Sequence, residues 1–192
     1  MAEQDYYPID IAGIKRELPK FEVAPGVTIA VLNILGDTEL VTAAARALAE
    51  QLRAKDFKAL ITAEAKSIPL IHALSVELDN MPYVVLRKSY KPYMGAALKS
   101  TTESITTGKE QTLYLDEKDH DLVRGDKVAI IDDVISTGST VSGIREILDQ
   151  ANATIAVEAA ILTEGHPEQW QHIIALGHLP LWIDDEAEDD GA

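Results

Sequence analysis

The chain has no cysteine among its 192 residues. Disulfides, thiolate nucleophiles and cysteine-ligated zinc are thereby excluded. Positive charge is also scarce: 17 lysines and arginines stand against 32 aspartates and glutamates, a formal net charge of −15. Non-specific binding to nucleic acid needs a positive surface, so no nucleic-acid partner is expected. A phosphorylated ligand must then be held by local donors and a cation, because the overall field repels it. Long apolar runs are missing too. The first 19 residues mix charges with prolines, so neither a signal peptide nor a membrane span is expected, and the cytoplasm is the default location. Repeats and low-complexity linkers are likewise absent, which makes residues 1–192 one domain. Six acids fall within residues 184–192, and that tail reads as solvated.

What is present is an ordinary globular composition, 46% hydrophobic and 26% charged, enough for a sizeable core. Residues 27–34 (VTIAVLNI) read as a strand after the Pro25-Gly26 turn. Asp37 or Thr38 caps a helix reaching about Lys55, with Leu40, Val41, Ala44, Leu48 and Leu52 on one face. A short strand over 58–62, a helix over 68–78 and a strand over 83–88 follow. Residues 89–100 read as a loop punctuated by Pro92 and Gly95. Strands 100–105 and 111–115 pair through Thr107-Gly108-Lys109 as an exposed excursion. The chain continues with a strand over 127–131, a loop over 132–139, a helix over 140–150 and a strand over 154–162. Residues 167–176 read as helix and 181–183 as a last short strand. Alternating strands and helices imply an α/β fold with a mostly parallel sheet. Such sheets bind ligands at the carboxyl ends of their strands. Three loops lie there: 63–67, the stretch from 89 onward, and 132–140.

The most informative string is VAIIDDVISTGST, residues 128–140. An apolar strand ends in Asp132 and Asp133. A loop of small and hydroxyl residues follows, with Gly138 free to take positive φ, and then a helix starts. Successive loop N–H groups and a helix N-terminus form an anion nest. Ser136, Thr137, Ser139 and Thr140 add hydroxyl donors. Two carboxylates one step earlier suit hydroxyl groups, or a cation held through water. A phosphate beside a diol is a ribose 5-phosphate, so Asp132 and Asp133 are expected at the ribose and Ser136, Thr137, Gly138, Ser139 and Thr140 at the phosphate. A plain acidic turn before a capped helix is the ordinary alternative. A Walker loop is excluded because no Lys follows Gly138.

This string resembles the signature with which type I phosphoribosyltransferases bind 5-phosphoribosyl-1-diphosphate (PRPP). Two further stretches fit in order. Thr62-Ala63-Glu64-Ala65-Lys66-Ser67 resembles the pyrophosphate loop of adenine and xanthine phosphoribosyltransferases and of the PRPP-binding domain of a purine repressor. That resemblance implies diphosphate binding by Glu64, Ala65, Lys66 and Ser67, and a cis Glu64–Ala65 peptide. The strand ending in Arg87-Lys88, followed by Lys91, resembles the family's cationic strand end. Arg87, Lys88 and Lys91 would meet the diphosphate, with Arg87 acting across a homodimer.

The fold implied is the type I phosphoribosyltransferase fold: a central, mostly parallel sheet flanked by helices. Residues 1–26 would supply a small hood and residues 89–112 a mobile β-hairpin flap. The function implied is transfer of the phosphoribosyl group of PRPP to a purine base, adenine first, in purine salvage. Asp132, Asp133 and Lys88 would be catalytic. Mg²⁺ would act through PRPP and water, with Asp132 and Asp133 as protein ligands. The base would lie at Val134, Ile135 and Leu162, with Tyr83 and Trp182 as further stacking candidates, although Trp182 reads first as simple core packing. Two departures matter. Lys66 replaces the Arg of the adenine enzymes, and Thr106-Thr107 replaces a Glu-Tyr pair before Gly108. A non-catalytic PRPP or nucleotide sensor, or a xanthine/guanine-type enzyme, is the alternative.

Overall fold

The computed structural model describes residues 4–103 and 110–184. Its most apolar strands lie at its centre, because a strand covered on both faces has no solvent side to mark with polar residues. In chain order the elements are β1 (Tyr6–Ile11), β2 (Ile14–Ala24), β3 (Val27–Ala30), α1 (Thr38–Leu52), β4 (Ala59–Ala63), α2 (Ile68–Glu77), β5 (Tyr83–Leu86), β6 (Leu98–Glu103), β7 (Glu110–Leu115), α3 (His120–Val123), β8 (Lys127–Ile135), α4 (Ser139–Gln150), β9 (Thr154–Glu164), β10 (Ile174–Leu179) and β11 (Trp182–Ile183). Five of these make the central sheet, in the order β10-β9-β8-β4-β5. Every pairing in it is parallel.

The two-residue period of β8 sorts its side chains between two cores. Ala129 and Ile131 join Leu40, Leu48 and Leu70 on the α1 and α2 side. Val128 and Ile130 join Ile144, Ile147 and Leu148 on the α4 side. Asp37 caps α1 by accepting from Leu40 N at 3.1 Å. The same carboxylate takes both arms of Arg16, at 2.7 and 2.8 Å, which ties β2 to the start of α1. β1 and β2 form a hairpin and continue into an antiparallel sheet, β1-β2-β3-β11. Two of its four strands, β1 and β2, come from the N-terminal stretch expected to be a hood. Trp182 belongs to it, edge-on to Tyr7 at 5.3 Å and under the Lys20 ammonium at 4.4 Å.

Three expectations are corrected. β8 runs through Asp132 and Asp133 to Ile135, where a loop was expected, because Val134 and Ile135 keep pairing with Leu162 and Thr163 of β9. Residues 167–176 are not helical. A single 3₁₀ turn, Pro167–Trp170, leads into β10, which adds to the free edge of β9. Gly177 lies so close to Leu162 that a Cβ there would come within 2.9 Å of Leu162 Cδ2. Sheet pairing has overridden a weak helical pattern. Nor is the β6–β7 hairpin an exposed excursion along its length, since Leu113 and Leu115 are fully buried. Its strands are fastened to α4 by Ser100 Oγ donating to Glu146 Oε2 at 2.5 Å and by Gln150 Nε2 donating to Lys99 O at 2.9 Å. The tip, with Thr106, Thr107, Gly108 and Lys109, lies outside the described residues, as does the tail from 185. Among the described residues no helix is long and apolar enough to cross a membrane.

Candidate active site

The carboxyl ends of β4 and β8 adjoin, and the chain places its unusual chemistry there. β8 leaves the core at Ile135. The loop then turns at Gly138, whose φ is +74°, and α4 begins at Ser139. Residues Ser136 to Val141, with Asp132, Val134 and Ile135, line a recess of about 60 Å³. The first N–H groups of a helix have no acceptor within it. Among the described residues the N–H groups of Thr137, Gly138, Thr140 and Val141 find no hydrogen-bond acceptor. Ser139 N makes only a long contact, 3.4 Å, to Thr137 Oγ1. The recess is therefore a cradle of unspent donors at a helix N-terminus, suited to a small tetrahedral anion. The Trp170 ring packs against it. A Cβ on Gly138 would lie 3.1 Å from the indole.

Asp132 and Asp133 are both buried. Ser67, at the end of the neighbouring loop, joins them. Its Oγ is 2.7 Å from Asp132 Oδ1 and 3.0 Å from Asp133 Oδ1, and it accepts from Asp133 N at 3.0 Å. Lys66 Nζ stands 2.8 Å from Asp133 Oδ2 and 3.4 Å from the Leu32 carbonyl. Burial, reinforced by the charge of Asp133, pushes the Asp132 carboxyl up to about 7. Burial pushes on Asp133 too, but the hydrogen bond and charge of Lys66, together with hydrogen bonds from Asp132 and Ser67, outweigh it and hold that carboxyl below the usual range. Near neutral pH Asp133 is thus ionised and matched by one lysine, while Asp132, at about 7, is only partly ionised.

The loop after β4 holds a cis Glu64–Ala65 peptide. Expected at the diphosphate, its side chains point elsewhere. Glu64 pairs with Arg87 Nε at 2.6 Å and accepts from Lys88 N at 2.6 Å, so it braces the loop against the end of β5. Ser67 and Lys66 face the aspartates. The Lys88 and Lys91 side chains are exposed at the rim. Of the residues expected at a base, Val134 is half-buried and Ile135 buried. Leu162 has no exposed surface, being packed beside Gly177, so its side chain offers no face to a ligand. Tyr83 lies on β5 against His72, and Trp182 in the small sheet.

Sequence reasoning missed the Ser67–Asp132–Asp133 junction, the Trp170 wall and the burial of the Glu164 side chain. The first joins residues 65 apart, and no local spacing signals it. Glu164 ends β9 and is 8% exposed. Burial raises its carboxyl above the ordinary value, and the Lys66 charge pulls it partly back. Among the described residues no three or more His, Asp or Glu gather as a metal cage. The donor set fits only a cation whose other ligands come from a phosphorylated substrate and water.

Fold and site together define an α/β protein with an anion cradle at the carboxyl edge of its sheet. Residues 32–176 match the family model of the phosphoribosyl transferase domain, and the chain belongs to that family. It is 27% identical over 164 residues to the purine biosynthesis transcriptional repressor PurR of Bacillus subtilis, covering 83% of this chain and 56% of the relative. It is 39% identical over 106 residues to the hypoxanthine/guanine phosphoribosyltransferase of Methanocaldococcus jannaschii, covering 55% of this chain and 54% of the relative. The chain thus spans about half the length of these curated relatives. Among solved structures, its fold is similar to adenine phosphoribosyltransferase from Thermoanaerobacter pseudethanolicus, with TM-score 0.64 and 19% identity over 91% of this chain and 95% of that one. The Trypanosoma brucei adenine enzyme, solved with AMP, pyrophosphate and ribose-5-phosphate, superposes with TM-score 0.65 and 20% identity, covering 97% of this chain and 81% of that one.

Proposed function

We propose that this protein transfers the 5-phosphoribosyl group of PRPP to a purine base, adenine foremost, and releases pyrophosphate. The carrying observation is the unspent N–H cradle at Thr137–Val141, just beyond the strand that carries two buried aspartates. The 5′-phosphate takes the cradle. Asp132 and Asp133 accept from the ribose hydroxyls. The C1′–O bond breaks with its electron pair leaving on the diphosphate as the base nitrogen bonds to C1′, and the base's N–H proton passes to water. Positive charge grows on the ring beside Asp133, and the departing diphosphate meets Lys66, Lys88 and Lys91. Asp132 and Asp133 would hold a Mg²⁺ ion through water, and its charge would help neutralise the leaving group. On this reading a diphosphate competes with Asp133 for Lys66, so binding breaks the resting ion pair. The protein acts as a homodimer.

The test is incubation of purified protein with Mg²⁺, PRPP and, in turn, adenine, guanine, hypoxanthine and xanthine, with chromatography of the products. Formation of a nucleotide, AMP above all, is expected. No nucleotide from any base would remove the catalytic reading. A second reading, a PRPP or nucleotide sensor, is favoured by the 83% coverage of this chain in the match to a transcriptional repressor and by Thr106-Thr107 where the adenine enzymes carry Glu-Tyr. Calorimetry showing PRPP binding without turnover would select it.

A further inference from the structure

Three strands end side by side at the cleft, in the order β4, β8, β9. The loop after β4 carries Lys66, the loop after β8 is the phosphate cradle, and β9 ends in Glu164. On the proposed function, on which this inference rests, ribose lies over β8 and the diphosphate leaves toward the β4 loop. A nucleophile displacing a group at C1′ approaches from the opposite face. The base therefore arrives over the end of β9.

Glu164 is the charged side chain there. Carboxylates are almost never this deeply buried without a partner. Among the described residues its oxygens accept no hydrogen bond. Its backbone, by contrast, is fully employed. The carbonyl accepts from Trp170 Nε1 at 2.8 Å, and the strand register pairs it with Leu179. Lys66 is close enough for its charge to be felt at Glu164, but the ammonium is already 2.8 Å from Asp133. The fold thus fixes a largely buried carboxyl at the end of β9 and gives it no hydrogen-bond partner among the described residues.

We propose that Glu164 reads the edge of the base by accepting from an exocyclic amine, which makes amino-substituted purines the preferred class over their oxo counterparts. A carboxylate only accepts hydrogen bonds. Opposite an amine it is satisfied, whereas opposite a carbonyl two acceptors face each other in a dry site. Sites built around such a hydrogen bond reject the analogue that lacks it far more strongly than apolar pockets reject a missing methylene. Glu164 is then a specificity residue that acts on the base and not on the sugar.

The test uses AMP, GMP, IMP and ribose 5-phosphate as probes, measured by calorimetry at pH 8 with wild type and Glu164→Gln. All four share the phosphate and ribose, and the nucleotides differ only at the base edge. Wild type is expected to bind AMP or GMP at least about tenfold more tightly than IMP. In Glu164→Gln, whose amide can donate as well as accept, that ratio should fall toward one while ribose 5-phosphate affinity stays unchanged. IMP binding as tightly as both amino nucleotides in wild type overturns the proposal, whatever the variant does. So does a folded Glu164→Gln protein that keeps the wild-type ratio. If ribose 5-phosphate binds and the nucleotides are indistinguishable, Glu164 alone has lost its role. If none of the four binds to wild type, the phosphoribosyl reading fails and this inference with it.

Discussion

The loops after β8 and β4, proposed to face the two phosphate ends of the substrate, spend their polar groups in opposite ways. The loop after β8 leaves its donors free: Thr137, Gly138, Thr140 and Val141 keep their N–H groups for a ligand. The loop after β4 has turned its side chains inward. Ser67 serves both aspartates, Lys66 neutralises Asp133, and Glu64 braces Arg87. The first loop is preorganised, so an anion meets fixed dipoles without rearrangement. The second must give up the Lys66–Asp133 pair before its lysine can serve a diphosphate. One site thus combines a rigid half with a half that holds its own counter-ion until a ligand replaces it.

The largest expected effect breaks the inward-turned half. Asp133→Asn removes the charge that holds Lys66 and the acceptor proposed for ribose. Turnover should fall by about 10²–10³-fold, the range seen when one preorganised electrostatic group is lost. The fold should survive, because Asn keeps the shape and a polar partner for Ser67. Steady-state kinetics alongside circular dichroism checks this, and wild-type turnover in a folded variant would remove Asp133 from the reaction.

A smaller effect sharpens the comparison through pH. Burial raises Asp132 from 3.8 to about 7. Below about pH 4 both folded and unfolded chains hold this proton, and the contribution to stability is complete. As pH rises the unfolded chain releases its proton first, so stability is lost up to about pH 7 and then levels off. One proton sets a limit of about 1.4 kcal/mol per pH unit. Asp133, held low with help from Lys66, has the opposite sign: its contribution is present above about pH 4 and fades as the solution is acidified below it. Denaturant unfolding between pH 4.5 and 8 should therefore show Asp132→Asn gaining on wild type as pH rises. Parallel curves would mean that Asp132 is already ionised in the folded protein.

How legible each half was in the sequence follows from the same contrast. The cradle is written in thirteen consecutive residues, and its strand, glycine and helix start follow from local rules. Asp37 as the cap of α1 was legible for that reason as well, since its acceptor and donor are three residues apart. The other half is assembled across the sheet. Ser67 meets Asp132 across 65 positions and Arg87 meets Glu64 across 23, and pairings of that kind follow from strand order. Strand order was itself obscured at β10. Ile173 and Ile174 can sit in a helix or a strand, and only the free edge of β9 and the room left by Gly177 beside Leu162 decide the matter. The burial of Leu162, expected at the base, was hidden by the same route. Its position at the end of a strand is right for a ligand, but β10 covers it.

The smallest effect tests the preorganised half alone. Gly138 sits at φ +74°, where an L side chain costs roughly 1–2 kcal/mol. Its added Cβ would also press on the Trp170 ring at 3.1 Å. The indole is anchored by its bond to Glu164 O, so the loop, more than the ring, must shift. Gly138→Ala should therefore lower stability by about 1–2 kcal/mol and weaken ribose 5-phosphate binding by about tenfold, because the N–H groups on either side of residue 138 lose their common focus. Lys66 lies on the other loop and Asp133 inside β8, ahead of the turn, so their pair should be untouched. Calorimetry with ribose 5-phosphate reads the first loop, and the pH dependence of unfolding reads the second. A destabilised variant that binds ribose 5-phosphate as tightly as wild type would show that the anion does not rest on these amides.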